Sequence, residues 1–359
     1  MLADLARRDV VAFDLFGDLD LRRRASRVVT GGGLSELVEA ALAEPPGGVV
    51  YGASFENHLA LVARLAERHA LLGNVPETLR AVRDPVGLGA TLRDAGFPFP
   101  RTSVSAVPER TGAWLRKPLR GGGGTRVRDW RGGALPRGTF VQQRIAGLAC
   151  SAAAVGDGRS AVMLGVSEQL IGRRELGARG YAWCGNLVPP RLDEAQRRAL
   201  AVAARTICAH LAHAFGLRGL FGVDLVWDGD RAWVVEVNPR PTGSLECVEA
   251  AYDVGVFAAH LEGCAGHLPA VALAPSPGRA AGKAILFATR DVRLGDTSDW
   301  RDRGIRDVPH PRERIRAGGP ICTLVSVQDS PEAVLADLEA RAAALRVELG
   351  ERAYAQAGS

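Results

Sequence analysis

Two runs in the chain, LFGVDLVW over residues 220–227 and AWVVEVNPR over 232–240, are strongly apolar yet carry Asp224, Glu236 and Asn238. The intervening DGD at 228–230 is a hairpin signal. With a three-residue loop, Asp224 faces Val234, and Glu236 lies one pleat further on the same face, roughly 7–8 Å away diagonally. Asn238 follows on that face because strand side chains alternate with period two. Three oxygen-bearing groups then converge. This hard donor set suits Mg²⁺, which takes one or two carboxylates and completes its shell with water and phosphate oxygens. The competing account is a half-buried hairpin whose polar face meets water while Val235 and Val237 face the core. Arg240 tips the balance, because an arginine beside metal-bound phosphates can hold a carboxylate or a transferring phosphoryl group through paired bonds.

A second constellation is LRKPLRGGGGTRV over 115–127. Lys117, ending a strand before Gly121, Gly122, Gly123 and Gly124, can set its ammonium on phosphate oxygens while unhindered backbone NH groups close over them. The order is not that of a P-loop, and no strand-following GxGxxG occurs. The alternative is a plain flexible loop tip. Lysine occurs only at Lys117 and Lys283, and every other basic residue is arginine. A compact point cation kept among so many planar forks suggests a reason at Lys117, whereas chance retention is open for Lys283. The run FVQQRIAG over 140–147 reads as a further strand, with an edge strand as its plain alternative.

These groups need elements to carry them. The first 78 residues alternate strand-like runs (10–16, 48–51) with helical patterns (34–42, 57–69), the rhythm of a parallel α/β unit. It begins abruptly, as though a strand and a helix before Val10 were missing. Asp84-Pro85 opens a helix to Ala95, and GFPFP at 96–100 stops it. A short β-rich lid is expected over about 113–168, with strands at 114–117, 140–145 and 151–155. From 193 to 215, Leu200, Ala204, Ile207, Leu211 and Phe215 recur at helical spacing before Gly216. His210 and His213 share that helix without a third ligand nearby and read as ordinary histidines, not a metal pair. Strands at 283–288 and 321–327 and a helix from 330 to 349 complete the chain, as a covering region.

Apolar and charged fractions of 47% and 24% are those of a globular protein. Basic and acidic residues, 45 and 40, are interspersed, which argues against a nucleic-acid-binding stripe. Six scattered cysteines suggest neither a zinc ribbon nor a disulfide framework. Without an apolar run long enough to span a bilayer or an N-terminal h-region, a cytoplasmic protein with no membrane partner is expected.

In this order and spacing, the segments around Lys117, Gly121 to Gly124, Asp224 and Glu236-Val237-Asn238-Pro239-Arg240 resemble the ATP-grasp superfamily, nearest to its biotin-carboxylase-like, carboxylate–amine ligase branch. The resemblance implies an α/β ATP-grasp fold: an N-terminal Rossmann-like domain (1–78), an ATP-grasp domain (79–275) and a C-terminal α/β region (276–359). It implies that Lys117 and the glycine loop bind ATP phosphates, and that Gln142, Gln143 and Ile145 meet adenine and ribose. Asp224, Glu236 and Asn238 match Mg²⁺ positions, with Mn²⁺ as a substitute. Arg240, with Gly243 and Ser244 beyond it, matches the side that steadies an acyl phosphate or acceptor carboxylate. Many relatives carry an acidic residue where Gln142-Gln143 stand, and a lysine where Val82-Arg83 stand, so Arg83 either supplies that contact or leaves it missing. PTGS after Arg240 lacks the acidic and histidine residues of biotin carboxylase.

The expected activity is an ADP-forming ligase that activates a small-molecule carboxylate as an acyl phosphate and joins it to an amine; a homodimer is compatible with this. A bicarbonate-activating carboxylase is the alternative enzyme, and a silent nucleotide-binding regulator the alternative from another class. Arg173, Arg174 and Tyr181 divide evenly between substrate contact and solvated surface.

Overall fold

The computed structural model describes residues 8–105, 112–270 and 278–350. Its centre is an eight-stranded antiparallel sheet, in the order Ala232–Asn238, Arg218–Trp227, Leu148–Asp157, Ala161–Ile171, Trp183–Val188, Ala280–Phe287, Pro320–Gln328, Ile305–Arg306. A four-stranded sheet of Thr102–Ser103, Thr139–Gln143, Trp114–Pro118 and Arg128–Trp130 stands apart from it. The expected strand at 151–155 is longer than its short apolar run suggested. With Ala161–Ile171, it pairs into the large sheet, not the small one with which the 113–168 grouping placed it.

Alternation along the central strands assigns their two faces. Ala152, Ala154, Val223 and Leu225 pack on the helix Glu194–Phe215, while Ala153, Val155, Leu164 and Leu220 pack on Leu245–Tyr252 and Val256–Cys264. The long helix follows its sequence signals closely. The Asp193 carboxylate accepts from Gln196 N at 2.8 Å, and Gly216 ends the helix at φ +66°. Of its expected seam, Leu200, Ala204, Ile207 and Leu211 are buried and Phe215 is half-buried. His210 stacks on Phe97 at 5.1 Å and His213 is exposed, in keeping with ordinary histidines.

In the N-terminal part, Val11–Asp14 pairs in parallel with Arg27–Thr30, and Gly48–Val49 with Ala70–Leu71. The C-terminal strands do more than cover. Gly185 pairs with Ala284 and Lys283 with Val325, so these strands extend the central sheet, and Pro331–Glu348 closes a second core over them through Val334, Leu338 and Leu345. The division expected between 275 and 276 lies outside the described residues. Cys150, Cys184, Cys208, Cys247, Cys264 and Cys322 are free thiols, all but Cys264 buried. Among the described residues no helix is long and apolar enough to cross a membrane.

Candidate active site

A cleft of about 780 Å³ runs between the small sheet and the polar part of the large one. Its floor is the hairpin, in a register that corrects the sequence-based one. Asp224 stands directly opposite Glu236, not Val234, for two reasons: the turn holds four residues, 228–231, where three were expected, and the ladder slips between Asp224 and Leu225, leaving Val235 as an extra residue. Val234 and Val237 are buried, while the bulged Val235 lines the cleft, so only one of the two valines expected in the core is there. Asn238 Nδ2 donates to Asp224 Oδ2 at 3.2 Å, and Gln169 Nε2 donates to Oδ1 at 3.0 Å.

Two carboxylates in one cross-strand pair repel each other. Burial, and then the charge of Glu236, push Asp224 up to about 6. Burial also opposes ionisation of Glu236, but Arg83, which forms an ion pair with it, and Lys117 outweigh this and hold its pKa below the usual value. A divalent cation shared by this pair would relieve the repulsion, so the donor set fits Mg²⁺. Among the described residues no group of three or more His, Cys, Asp or Glu side chains forms a metal site, and the group beside the two carboxylates is the amide of Asn238.

Above this floor, Lys117 donates to Gln142 Oε1 at 2.7 Å, and Gln142 Nε2 donates to Thr102 Oγ1 at 3.3 Å. Gln142 is therefore a brace for the lysine, and it lines the cleft together with Gln143 and Ile145. Burial lowers the Lys117 pKa against the pull of Glu236 and Asp224. Arg83 also donates to the Gly121 carbonyl at 2.9 Å, tying the glycine loop to the carboxylate pair. Trp183 N donates to the Gly123 carbonyl at 2.9 Å, so the loop rests on the large sheet.

Arg240 lies in the cleft but is already engaged. Its Nε and Nη2 donate to Glu56 Oε1 at 3.1 and 3.0 Å, Nη2 to Asn238 Oδ1 at 3.2 Å, and Nη1 to the Pro241 carbonyl at 3.1 Å. Glu56 is buried, and its Oε2 has no partner among the described residues. Gly243 supports an aromatic wall, since a Cβ there would sit 2.5 Å from Trp183 Cη2. Ser244 is buried and shares a hydrogen bond with Thr242. Tyr181 lines the cleft and bonds Asp129 at 2.6 Å, whereas Arg173 is paired with Glu339 and Glu175 and Arg174 is exposed.

Glu56, Gln169 and Lys283 join this cleft without having been assigned to it from the sequence. Glu56 and Gln169 carried no local signal. For Lys283 the scarcity of lysine was the one available hint, and both lysines of the chain line the cleft.

A small sheet with a glycine loop, set over a paired-carboxylate hairpin, defines a nucleotide-phosphate cleft of the ATP-grasp fold. The ATP-grasp domain family matches residues 83–244, and this part of the chain is an ATP-grasp domain. The structure is similar to that of a biotin carboxylase from Campylobacter jejuni, with a TM-score of 0.69 and 14% identity over 94% of this chain and 85% of that one. It is also similar to an L-amino acid ligase from Bacillus licheniformis, with a TM-score of 0.64 and 14% identity over 92% and 90% of the two chains. A formate-dependent phosphoribosylglycinamide formyltransferase of Pseudomonas putida is 37% identical over 89 residues, 24% of this chain. The chain spans only 20% of that relative's length.

Proposed function

We propose that the protein is an ADP-forming ligase that uses Mg²⁺ and ATP to join a small-molecule carboxylate to an amine. The observation that carries this reading is the Asp224–Glu236 pair with Asn238, lying under Lys117 and the glycine loop in one cleft. Asp224, Glu236 and Asn238 would hold Mg²⁺, with Mn²⁺ as a substitute; the metal, when bound, neutralises phosphate charge. Lys117, braced by Gln142, and the NH groups of Gly121 to Gly124 would grip phosphate oxygens, with Gln143 and Ile145 toward the base. A carboxylate oxygen attacks the terminal phosphorus and ADP leaves. The amine nitrogen then attacks the acyl carbon, phosphate departs, and the nitrogen loses a proton. Arg240, fixed by Glu56, and the Gly243–Ser244 turn border the acid. Positioning and charge neutralisation supply most of the acceleration in such transfers, and the small sheet keeps water from the acyl phosphate.

The reading includes cytoplasmic small-molecule substrates, a homodimer, and neither nucleic acid nor membrane as partner. Its test is ADP release from ATP across a screen of carboxylates and amines. Glu236→Gln should lower the substrate-dependent rate by roughly 100-fold or more; a variant as active as the parent would remove the metal assignment. The likeness to biotin carboxylases supports a second reading, bicarbonate as the phosphoryl acceptor, which requires bicarbonate-dependent ADP release. A regulatory protein would bind nucleotide and release no ADP with any pair.

A further inference from the structure

At the end of the cleft away from the paired carboxylates, the chain's other lysine is buried. Lys283 is 5% exposed and makes one hydrogen bond among the described residues, to Glu246 Oε1 at a long 3.3 Å. An ammonium has three donors, so most of its hydrogen-bonding capacity is open toward the cavity it lines. Arg83 and Arg240 are by contrast each tied down by a carboxylate and further acceptors.

The sheet register fixes where Lys283 stands. Lys283 pairs with Asn186, Asn186 with Gln169, and the Gln169 amide reaches Asp224. Four strand-to-strand steps separate the backbones carrying Asp224 and Lys283, which is about 19 Å at about 4.8 Å per step. Lys283 therefore stands apart from the paired carboxylates along the same cleft.

Two acids border it. Glu246 sits in the first turn of Leu245–Tyr252, with its side chain 27% exposed. Asp307 lines the cleft in a left-handed conformation at φ +50°, which aspartate adopts more readily than most residues. Asp20 fixes that turn by accepting from the backbone NH groups of Asp307 and Val308, each at 2.8 Å, and the Thr323 hydroxyl donates to the Asp307 carboxylate. The Trp183 ring, 6.0 Å from the Lys283 ammonium, and Ile285 supply apolar wall.

Lys283 and Asp307 in the cleft wall, with Glu246 beside the lysine, discriminate by sign. A simple anion meets a net negative wall, and a simple cation meets Lys283. A head group bearing both charges satisfies all three. We propose that this end of the cleft is a subsite for an α-amino-acid head, with its carboxylate on Lys283 and its ammonium between Glu246 and Asp307. The proposal rests on the ligase reading and names one class of its substrates.

The test is equilibrium binding by calorimetry, with the full chain, Mg²⁺ and the non-hydrolysable analogue AMP-PNP. The probes are the common L-amino acids, each with its N-acetyl derivative and its decarboxylated amine. At least one amino acid should bind, with both blocked forms weaker by roughly ten-fold or more, as loss of a hydrogen bond to a charged group requires. Lys283→Met and Glu246→Gln should each lose a similar factor while AMP-PNP affinity is retained. Should Lys283→Met lose nucleotide as well, signalling a damaged fold, Glu246→Gln at its partly exposed carboxylate decides alone. Absence of amino-acid binding, equal binding of the blocked forms, or undiminished binding by the variants would overturn the subsite and leave the ligase reading standing. Failure of the wild type to bind AMP-PNP with Mg²⁺ would overturn the ligase reading first.

Discussion

Residues of the same type in one loop have different duties in this cleft. Gly121 to Gly124 form a single run, but a Cβ on Gly122 would meet nothing within 4 Å. A Cβ on Gly124 would lie 1.9 Å from the Tyr181 carbonyl oxygen, at φ +69°. The first position tolerates a side chain and the second does not. Gly124→Ala should therefore destabilise the loop by about 1–2 kcal/mol from the left-handed backbone alone, with further loss from the clash, and should weaken ATP binding. Gly122→Ala should leave both nearly unchanged. Thermal midpoints and a nucleotide titration of the two variants test this, and equal behaviour would contradict the loop's contact with the large sheet. Glu56 and Arg240 illustrate the same specificity at longer range. Their side chains are 1% and 11% exposed, so the arginine is held by a carboxylate almost fully removed from water.

At the scale of elements, the bulge at Val235 sets the geometry of the hairpin. Without the extra residue, Glu236 would pair past Asp224; with it, the carboxylates face each other and Val234 and Val237 both reach the core. The helix Val256–Cys264 is pinned in a comparable way by His260. Its Nδ1 accepts from Leu220 N at 2.8 Å, and its Nε2 bonds the Leu72 carbonyl at 3.1 Å, an arrangement that needs the neutral ring. Burial lowers the His260 pKa from 6.5, against the Leu72 hydrogen bond. A folded-state pKa below the unfolded one means that the unfolded chain binds more protons in acid. The resulting stability is present above about pH 6.5 and is lost as pH falls through the folded value. Urea midpoints at pH 7.5 and 5.5 should show that wild-type protein loses stability on acidification and that His260→Gln loses less. The variant should be weaker at pH 7.5 by about 1–3 kcal/mol, the cost of disturbing buried hydrogen bonds. An identical pH slope in both proteins would exclude His260 as the source.

For the whole molecule, the cleft gathers segments from Ala53 to Thr323, so any ligand filling it bridges the N-terminal unit, both sheets and the C-terminal strands. A ligand that binds only the folded state stabilises it by mass action. ATP with Mg²⁺ at 100 times its Kd should add about 2.7 kcal/mol, seen as a higher melting temperature. Chelation by EDTA should remove most of the gain, and the effect should be absent in Glu236→Gln. ATP alone giving the full gain would show that the paired carboxylates hold no metal during binding.

By itself, the sequence determined what is local. Lys117 with its glycines, and Asp224, Glu236, Asn238 and Arg240 with their hairpin, lie within short windows where strand period and turn chemistry suffice, and the seam of the helix 194–215 follows the same logic. Tertiary structure decided what depends on packing between distant segments. The bulge arises because two valines three residues apart both enter the core. The same folding brings Glu56 to Arg240, turns Gln142 toward Lys117, and carries Lys283 into the cleft on a strand that extends the central sheet. Hydrophobic burial and hydrogen-bond satisfaction choose such partners across the whole chain, and no spacing within one segment encodes them.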